Sequence, residues 1–217
     1  MKSTENIKIR MATEDDAAAL LAIYAPYILK TGITFEYVVP TEAQFRERIR
    51  RVLEKYPYLV AQRNGEIVGY SYAKEFGERA AFSRSVETVL YIKENERGGG
   101  LGRLLYGELE RILKKQNITN MYAAVAYREA EDETITHASP KFHLSMGYEK
   151  KAHFTACGYK FDRWYDIIWY EKMIAAHGEN PKPFLPVAGI VTKTVNNRFA
   201  GTDAPDCLLM KYNSKKR

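Results

Sequence analysis

The 217-residue sequence has little cysteine and no long apolar run. Its two cysteines, Cys157 and Cys207, lie far apart, and neither belongs to a Cys-x-x-Cys pair. This spacing excludes a disulfide framework and predicts two reduced thiols. No apolar stretch approaches the ~20 residues of a membrane-spanning helix, and residues 1–9 lack the apolar core of a secretory signal. We therefore expect a cytoplasmic protein without a membrane partner.

Patterns typical of metal and nucleic-acid binding are also missing. His137 and His143 are not accompanied by Cys or Asp at the spacing of metal ligands, so we expect no metal site. The net charge is +6, and residues 175–217 hold seven Lys/Arg against three Asp/Glu. The basic end at 215–217 is short and has no interleaved aromatic residues. A solvated terminus is therefore favoured over a nucleic-acid-binding segment.

Hydrophobic periodicity predicts alternating strands and helices along most of the chain. The predicted strands lie at 7–11, 58–62, 67–73, 86–92, 121–125, around 151–156 and at 165–172. The predicted helices begin after the N-cap candidate Thr13, after Thr41, at the glycine-rich segment 98–102 and at Ser139. This order predicts one α/β domain with a mixed sheet at residues 1–174.

The composition changes after residue 174. Residues 177–186 contain three prolines together with Gly178 and Asn180, which is typical of a linker. One further strand is predicted at 190–195. We expect residues 175–217 to form a Pro-containing linker and a basic C-terminal extension.

A run of glycines separates a predicted strand from a predicted helix: Arg97-Gly98-Gly99-Gly100-Leu101-Gly102. Glycines leave backbone N–H groups accessible, and a helix N-terminus carries partial positive charge, so this segment suits a bound phosphate. It lacks the Lys-Ser/Thr of a Walker loop and the glycine spacing of a dinucleotide-binding loop. A turn that only reverses the chain is the alternative interpretation.

The Arg-x-x-Gly-x-Gly pattern between strand and helix resembles the acetyl-CoA loop of the GCN5-related N-acetyltransferases, the GNAT family. Other segments resemble its phosphinothricin and methionine sulfone/sulfoximine acetyltransferase branch: Gly32-Ile33-Thr34-Phe35, Tyr56-Pro57-Tyr58, Val86-Glu87-Thr88-Val89-Leu90-Tyr91-Ile92, Phe142-His143, Met146-Gly147-Tyr148, Gly158-Tyr159-Lys160 and Trp164-Tyr165-Asp166. The resemblance covers residues 7–174. The connection at 129–138 is longer than is usual in that branch.

The resemblance implies the GNAT fold, with a central mixed, mostly antiparallel sheet flanked by helices, and acetyl-CoA as the cosubstrate. It implies transfer of an acetyl group to the amine of a small amino-acid-like substrate. The residues expected at the cofactor are Val89, Leu90, Tyr91, Arg97, Gly98, Gly99, Gly100, Leu101, Gly102 and Ser139. Those expected at the substrate are Phe35, Arg79 and Phe82.

Glu87 stands inside an apolar strand, where a lone acid is costly to bury. An amine reaches the enzyme as ammonium and must lose a proton before it attacks a thioester, so Glu87 is the candidate general base. The alternative is an acid that faces solvent or pairs with Arg84. His143 lies near the position of the family's general acid, so it is a candidate to protonate the departing thiolate or to help deprotonate the substrate. A packing histidine is the alternative there.

Three functions remain open at this stage. The first is acetylation of an amino-acid-like substrate, for which Arg79 would select an anionic group. The second is acetylation of another amine, such as a polyamine or a protein N-terminus. The third is a non-catalytic CoA-binding protein, which the presence of Glu87 disfavours. A homodimer is also expected, from the resemblance and from the aromatic residues Phe154, Tyr159, Phe161, Trp164 and Tyr165.

Overall fold

The computed structural model of the protein describes residues 6–190 and a short strand at 210–211. Its strands are β1 (Ile7–Met11), β2 (Tyr58–Arg63), β3 (Glu66–Glu75), β4 (Ser85–Ile92), β5 (Asn120–Tyr127), β6 (Glu149–Lys160), β7 (Arg163–Met173) and β8 (Met210–Lys211). Its named α-helices are α1 (Ala17–Lys30), α2 (Glu42–Leu53), α3 (Leu101–Lys115) and α4 (Ala138–Ser145). The order of elements predicted for residues 7–174 is confirmed. The strand predicted at 190–195 lies outside the described residues except for residue 190, which is helical.

The described strands form one sheet in the order β6-β7-β5-β4-β3-β2-β1-β8. Among these strands, β4 and β5 are the one parallel pair, and every other neighbouring pair is antiparallel. The expected mixed, mostly antiparallel sheet is therefore confirmed.

Strand β2 contributes to a hydrophobic core on each face of the sheet, because successive side chains of a strand point to opposite faces. Leu59 and Ala61 belong to the core that contains the buried face of α3. Tyr58 and Val60 belong to the second core, which contains the buried residues of α1 and α2. Helices therefore cover both faces of the sheet.

The two helices predicted from N-cap residues begin in slightly different ways. Thr41 caps α2 as expected: its hydroxyl accepts a hydrogen bond from the Gln44 N–H, and the Gln44 side chain accepts one from the Thr41 N–H. After Thr13 the chain first forms a 3-10 turn, Glu14–Asp16, and α1 follows. Asp16 is nearly buried there and accepts two hydrogen bonds of 2.7 Å from the Arg10 guanidinium.

The proline-containing segment at 175–187, here called the C-terminal strap, is attached to the domain by hydrogen bonds to its backbone. The Arg84 guanidinium donates to the carbonyls of Pro181 and Lys182. The Gln116 side chain donates to the carbonyl of Leu185 at 2.8 Å. The linker-like composition thus corresponds to an extended segment that packs against the ends of the strands and helices.

Candidate functional site

The site is built where the parallel strands β4 and β5 separate. They pair over 85–87 and 120–122, and between these two strands the ladder stops after Glu87. The facing backbone N–H and C=O groups beyond that point need other partners, because buried backbone polar groups are almost always hydrogen-bonded. A cavity of about 800 Å³ opens between them, lined by residues 88–92 of β4 and 123–126 of β5. This gap suits a ligand that hydrogen-bonds to strand edges.

The glycine loop forms one end of the cavity. Gly98 and Gly100 have φ angles of +78° and +80°, in the left-handed region that favours glycine. Gly100 is the N-cap of α3, so the first N–H groups of that helix have no intrahelical acceptors. Gly100 lines the cavity, as do the basic residues Arg97 and Arg103. The first turn of α3 contains no acidic residue, so this end is suited to an anionic group.

Glu87 lies near the other end of the cavity wall, about 16 Å along β4 from Ile92 at a strand rise of ~3.3 Å per residue. Its side chain is 19% exposed and forms an ion pair of 3.0 Å with Lys74 Nζ. Lys74 stands directly opposite Glu87 in the β3–β4 ladder, and both residues line the cavity. The partner of Glu87 is therefore Lys74, and the expected alternative partner, Arg84, is bound to the C-terminal strap.

A second carboxylate, that of Glu36, lines the same part of the cavity. The Arg48 guanidinium donates two hydrogen bonds to it, at 2.7 and 3.1 Å, and the Tyr24 hydroxyl donates a third at 3.0 Å. Glu36 and the neighbouring Phe35 belong to the loop that joins α1 to α2. Each carboxylate in this part of the cavity thus has a cationic partner.

His143 is 5% exposed and lines the cavity from α4. Its Nδ1 donates to the Ser139 carbonyl at 2.8 Å, which leaves Nε2 to accept from the Tyr106 hydroxyl at 3.2 Å. Burial lowers the pKa of His143 to about 4, although the hydrogen bond to Ser139 opposes this shift. The ring is therefore neutral near pH 7. In this form its Nε2 accepts a proton and does not donate one.

Tyr106, whose hydroxyl donates to His143, also lines the cavity. It is 1% exposed and projects from α3. Burial raises its pKa, so the phenol keeps its proton at neutral pH. Thr88 and Tyr148 form a second hydroxyl pair in this buried region, with their oxygens 3.1 Å apart.

The cavity brings together most of the residues expected from the sequence. Its lining includes Phe35, Glu87, Val89, Leu90, Tyr91, Arg97, Gly98, Gly100, Leu101, Gly102, Ser139 and His143. Gly99, Arg79 and Phe82 are not part of it. Arg79 is exposed at the start of a 3-10 turn, and Phe82 packs against Phe76 with ring centroids 5.6 Å apart. The loop before β4 therefore directs Phe82 to an aromatic cluster beside the cavity.

Among the lining residues that were not identified from the sequence, three make contacts that bear on the chemistry of the cavity: Glu36, Lys74 and Tyr106. Lys74 stands opposite Glu87 in the β3–β4 ladder, but the connection at 76–84 is too long to fix that register from the sequence. Tyr106 lay in an apolar helical stripe, where an aromatic residue normally indicates core packing. For Glu36, adjacency to Phe35 was the available signal.

Two negative results apply to the residues that the structure describes. Within residues 6–190 there is no group of three or more His, Cys, Asp or Glu that could hold a metal ion. None of the helices in this part of the chain is both long and apolar enough to span a bilayer.

Comparison with known proteins identifies the family. A profile described as an acetyltransferase (GNAT) domain matches residues 9–169. The chain is 30% identical over 169 residues to a phosphinothricin N-acetyltransferase of Alcaligenes faecalis, covering 77% of this chain and 83% of that protein. It is 29% identical over 170 residues to an L-methionine sulfoximine/L-methionine sulfone acetyltransferase of Salmonella typhimurium, covering 78% and 95%. The structure of a Sinorhizobium meliloti phosphinothricin acetyltransferase in complex with AcCoA matches with a TM-score of 0.73 at 26% identity, covering 84% of this chain and 98% of that one. This chain therefore belongs to the GNAT acetyltransferase family and has its mixed α/β fold.

Proposed function

We propose that this protein transfers the acetyl group of acetyl-CoA to the amine of a small amino-acid-like acceptor. The observation that carries the proposal is the single cavity that joins the glycine loop to the Glu87–Lys74 pair. One end suits the pyrophosphate of CoA, and the other offers a base for an ammonium. The relatives named for phosphinothricin and methionine sulfoximine/sulfone acetylation support the substrate class.

Acetyl-CoA would lie along the gap between β4 and β5. Backbone N–H groups of the glycine loop and the N-terminus of α3 would bind the pyrophosphate, with Arg97 beside them. Val89, Leu90 and Tyr91 would offer backbone groups to the pantetheine arm and the thioester. A backbone N–H at this point would also stabilise the oxyanion that forms on the thioester carbonyl.

Glu87 acts as the general base. Its carboxylate takes a proton from the acceptor ammonium, directly or through one water molecule, and the free amine attacks the thioester carbon. As the tetrahedral intermediate collapses, its nitrogen gives up a second proton and the carbon–sulfur bond breaks. The departing CoA thiolate takes that proton and leaves as the thiol. The neutral His143 accepts a hydrogen bond from the Tyr106 hydroxyl and so fixes the orientation of that hydroxyl in the cavity.

The charge of the acceptor region favours an amino acid over a polyamine. Glu36 and Glu87 are the carboxylates that line this region of the described chain, and Arg48 and Lys74 already neutralise them. A polyamine site would need unpaired acids to bind several ammonium groups. A zwitterion fits better, because its amine can approach Glu87 while its acidic group approaches Lys74.

A homodimer is part of the proposal. Phe154, Tyr159, Phe161 and Trp164 are 39–60% exposed on β6 and β7 or the turn between them, and β6 is an edge strand of the sheet. Exposed aromatics and a strand edge that pairs with none of the other described strands favour association with a second copy. Tyr165 was expected in the same group, but it is fully buried within the subunit. The prediction that it contributes to an interface is therefore wrong. The cytoplasmic location stays a prediction.

An acetylation screen tests the proposal. Purified protein is incubated with acetyl-CoA and single acceptors, and released thiol is measured over time. The panel contains amino acids, methionine sulfone, methionine sulfoximine, phosphinothricin, a polyamine and an aminoglycoside. We expect thiol release with the amino-acid-like acceptors. Turnover with the polyamine alone would contradict the substrate class, and CoA binding without turnover on any acceptor would favour a non-catalytic CoA-binding protein.

A further inference from the structure

Lys160 is a buried cation that the proposed reaction does not use. It is 2% exposed, yet among the described residues no carboxylate forms an ion pair with it. Its Nζ instead donates to the carbonyls of Thr31 and Thr34, at 3.0 and 2.8 Å. Burial lowers the pKa of Lys160, and the charge of nearby Glu36 opposes this shift. A lysine is rarely buried without an acidic partner. The hydrogen bonds to these two carbonyls therefore indicate that Lys160 holds the segment to which the carbonyls belong.

The two carbonyls belong to the loop at 31–41 that joins α1 to α2, here called the acceptor loop. Four of its residues, at 33–36, line the cavity, including Phe35 and Glu36. The loop contains no regular secondary structure, so ladder or helix hydrogen bonds do not fix its position. What fixes it must come from other parts of the chain.

The end of the β6–β7 hairpin supplies that fixation. Phe161 and Asp162 have φ angles of +52° and +57°, which are typical of the tight two-residue turn that joins antiparallel strands. This turn places Lys160 at the end of β6, and the Tyr37 hydroxyl of the acceptor loop donates to the Tyr159 carbonyl beside it. Gly158 lies directly under Phe35: a Cβ there would stand 2.2 Å from the Phe35 ring.

The long connection at 129–138 holds the start of the same loop. The Thr134 carbonyl accepts a hydrogen bond of 2.9 Å from the Gly32 N–H. The Thr134 hydroxyl lies 2.8 Å from the hydroxyl of Tyr165, and a Cβ at Gly32 would stand 2.2 Å from the Tyr165 ring. Asp132 fixes this connection by accepting hydrogen bonds from the Thr134 N–H and the Arg163 guanidinium. The acceptor loop is thus held at two points, by the end of the β6–β7 hairpin and by the connection at 129–138.

We propose that Lys160 is a positioning residue, which holds the acceptor loop so that Phe35 and Glu36 form the wall of the acceptor site. This inference rests on the proposed function, because the loop matters only if that part of the cavity binds the acceptor. Lys160 does not line the cavity itself and acts through the loop. The cofactor end of the cavity is formed by different segments, so cofactor binding is independent of it.

Two unrelated variants test the inference with one readout. Lys160→Met removes the ammonium that donates to the Thr31 and Thr34 carbonyls and leaves both carbonyls without that donor. Gly158→Ala keeps Lys160 and displaces Phe35 directly. We expect each to raise the KM for the acceptor about tenfold or more and to leave the KM for acetyl-CoA within about twofold. Lys151→Met, which removes an exposed lysine of β6, is the matched control and should change neither constant.

Hydrogen exchange gives a readout that does not depend on turnover. We expect the Gly32 amide and its neighbours at 31–37 to exchange faster in Lys160→Met than in the wild type, with unchanged exchange in α3. If Lys160→Met does not fold, Gly158→Ala decides through the acceptor KM alone. A folded Lys160→Met protein with wild-type acceptor KM and wild-type exchange at 31–37 overturns the inference. If the wild type acetylates no acceptor, the proposed function fails, and faster exchange at 31–37 would still support the attachment of the loop by Lys160.

Discussion

Lys74 Nζ lies 3.0 Å from Glu87 Oε1, and the two residues stand opposite each other on neighbouring strands of the sheet. Both side chains face the cavity. The ammonium of Lys74 therefore occupies one side of the carboxylate that an acceptor ammonium must also approach. Under the proposed mechanism, this arrangement would orient the base and would bring a positive charge within reach of the acceptor's acidic group.

Glu87→Gln should lower kcat by ~10²–10⁴-fold, because the amide keeps the shape of the carboxylate but does not accept the acceptor's proton. The loss should shrink as the pH rises, since more of the acceptor amine is then already neutral. Acetyl-CoA affinity, measured by calorimetry, should stay near that of the wild type. The control is Glu75→Gln. Glu75 is an exposed acid at the end of β3, and it pairs with Lys55. Wild-type kcat at pH 7 in Glu87→Gln would remove the base assignment.

Lys74→Met should raise the KM for an amino-acid acceptor about tenfold, because the cation that faces its carboxylate is lost. The KM for the corresponding amino-acid amide should change much less. Arg79→Met should leave both values within about twofold of the wild type, since Arg79 lies outside the cavity lining. A larger effect of Arg79→Met than of Lys74→Met would return the specificity role to the residue expected from the sequence.

The sequence was sufficient to select Glu87 and most of the glycine loop as residues that line the cavity, because their signals are local. Three glycines before a leucine-rich helix, and one acid in an apolar strand, need no tertiary information. Lys74 and Arg79 differ in this respect. Arg79 stood in a loop whose path depends on where Phe82 packs, and the aromatic cluster around Phe76 decides that path.

The buried lysine and the neutral histidine could not be predicted for a similar reason. The role of Lys160 depends on two carbonyls about 130 residues away in sequence, and no periodicity records such a contact. His143 was recognised by resemblance, but its protonation state follows from burial against Tyr106 of α3, Tyr148 and Tyr170 of β7. Local patterns thus predicted the elements, and long-range packing determined which polar groups meet in the cavity.

Gly100→Asp should weaken acetyl-CoA binding about tenfold or more, because it adds a negative charge at the cap of α3 where the pyrophosphate is expected. Gly100→Ala separates this effect from backbone strain, since it introduces a Cβ at the same positive φ without a charge. Gly107→Asp places the charge further along α3, where a Cβ meets nothing within 4 Å. Calorimetry should show the lowest acetyl-CoA affinity for Gly100→Asp and an intermediate affinity for Gly100→Ala. The affinity of Gly107→Asp should be near that of the wild type.

Acid should destabilise the protein through His143 before most carboxylates titrate. Its folded-state pKa of about 4 lies below the unfolded value of 6.5, so the unfolded state binds more protons between these two values. The contribution of His143 to the free energy of unfolding is therefore fully present above pH 6.5 and is lost as the pH drops towards 4. From pH 7 to pH 5 the free energy of unfolding should decrease by about 2 kcal/mol from this group.

His143→Asn provides the comparison. Asparagine keeps a donor for the Ser139 carbonyl and does not titrate, so its urea-unfolding free energy should vary less between pH 7 and pH 5. An equal loss in both proteins would assign the acid sensitivity to other groups.

Gln116→Leu should reveal how much the C-terminal strap contributes to stability. Gln116 is fully buried at the end of α3, and its Nε2 donates to the carbonyls of Lys55 and Leu185 at 2.7 and 2.8 Å. Leucine would leave both carbonyls without this donor, so the free energy of unfolding should fall by about 2 kcal/mol. Exchange of the Leu185 and Val187 amides, which donate to the Gln116 and Lys55 carbonyls, should become faster.

Arg84→Met removes only exposed contacts to the strap and should cost less than about 1 kcal/mol. The strap binds Gln116 at the C-terminal end of α3, whereas the glycine loop lies at the N-terminal end of that helix. Acetyl-CoA affinity should therefore be unchanged in both variants. A parallel loss of affinity would indicate that the strap also shapes the cavity.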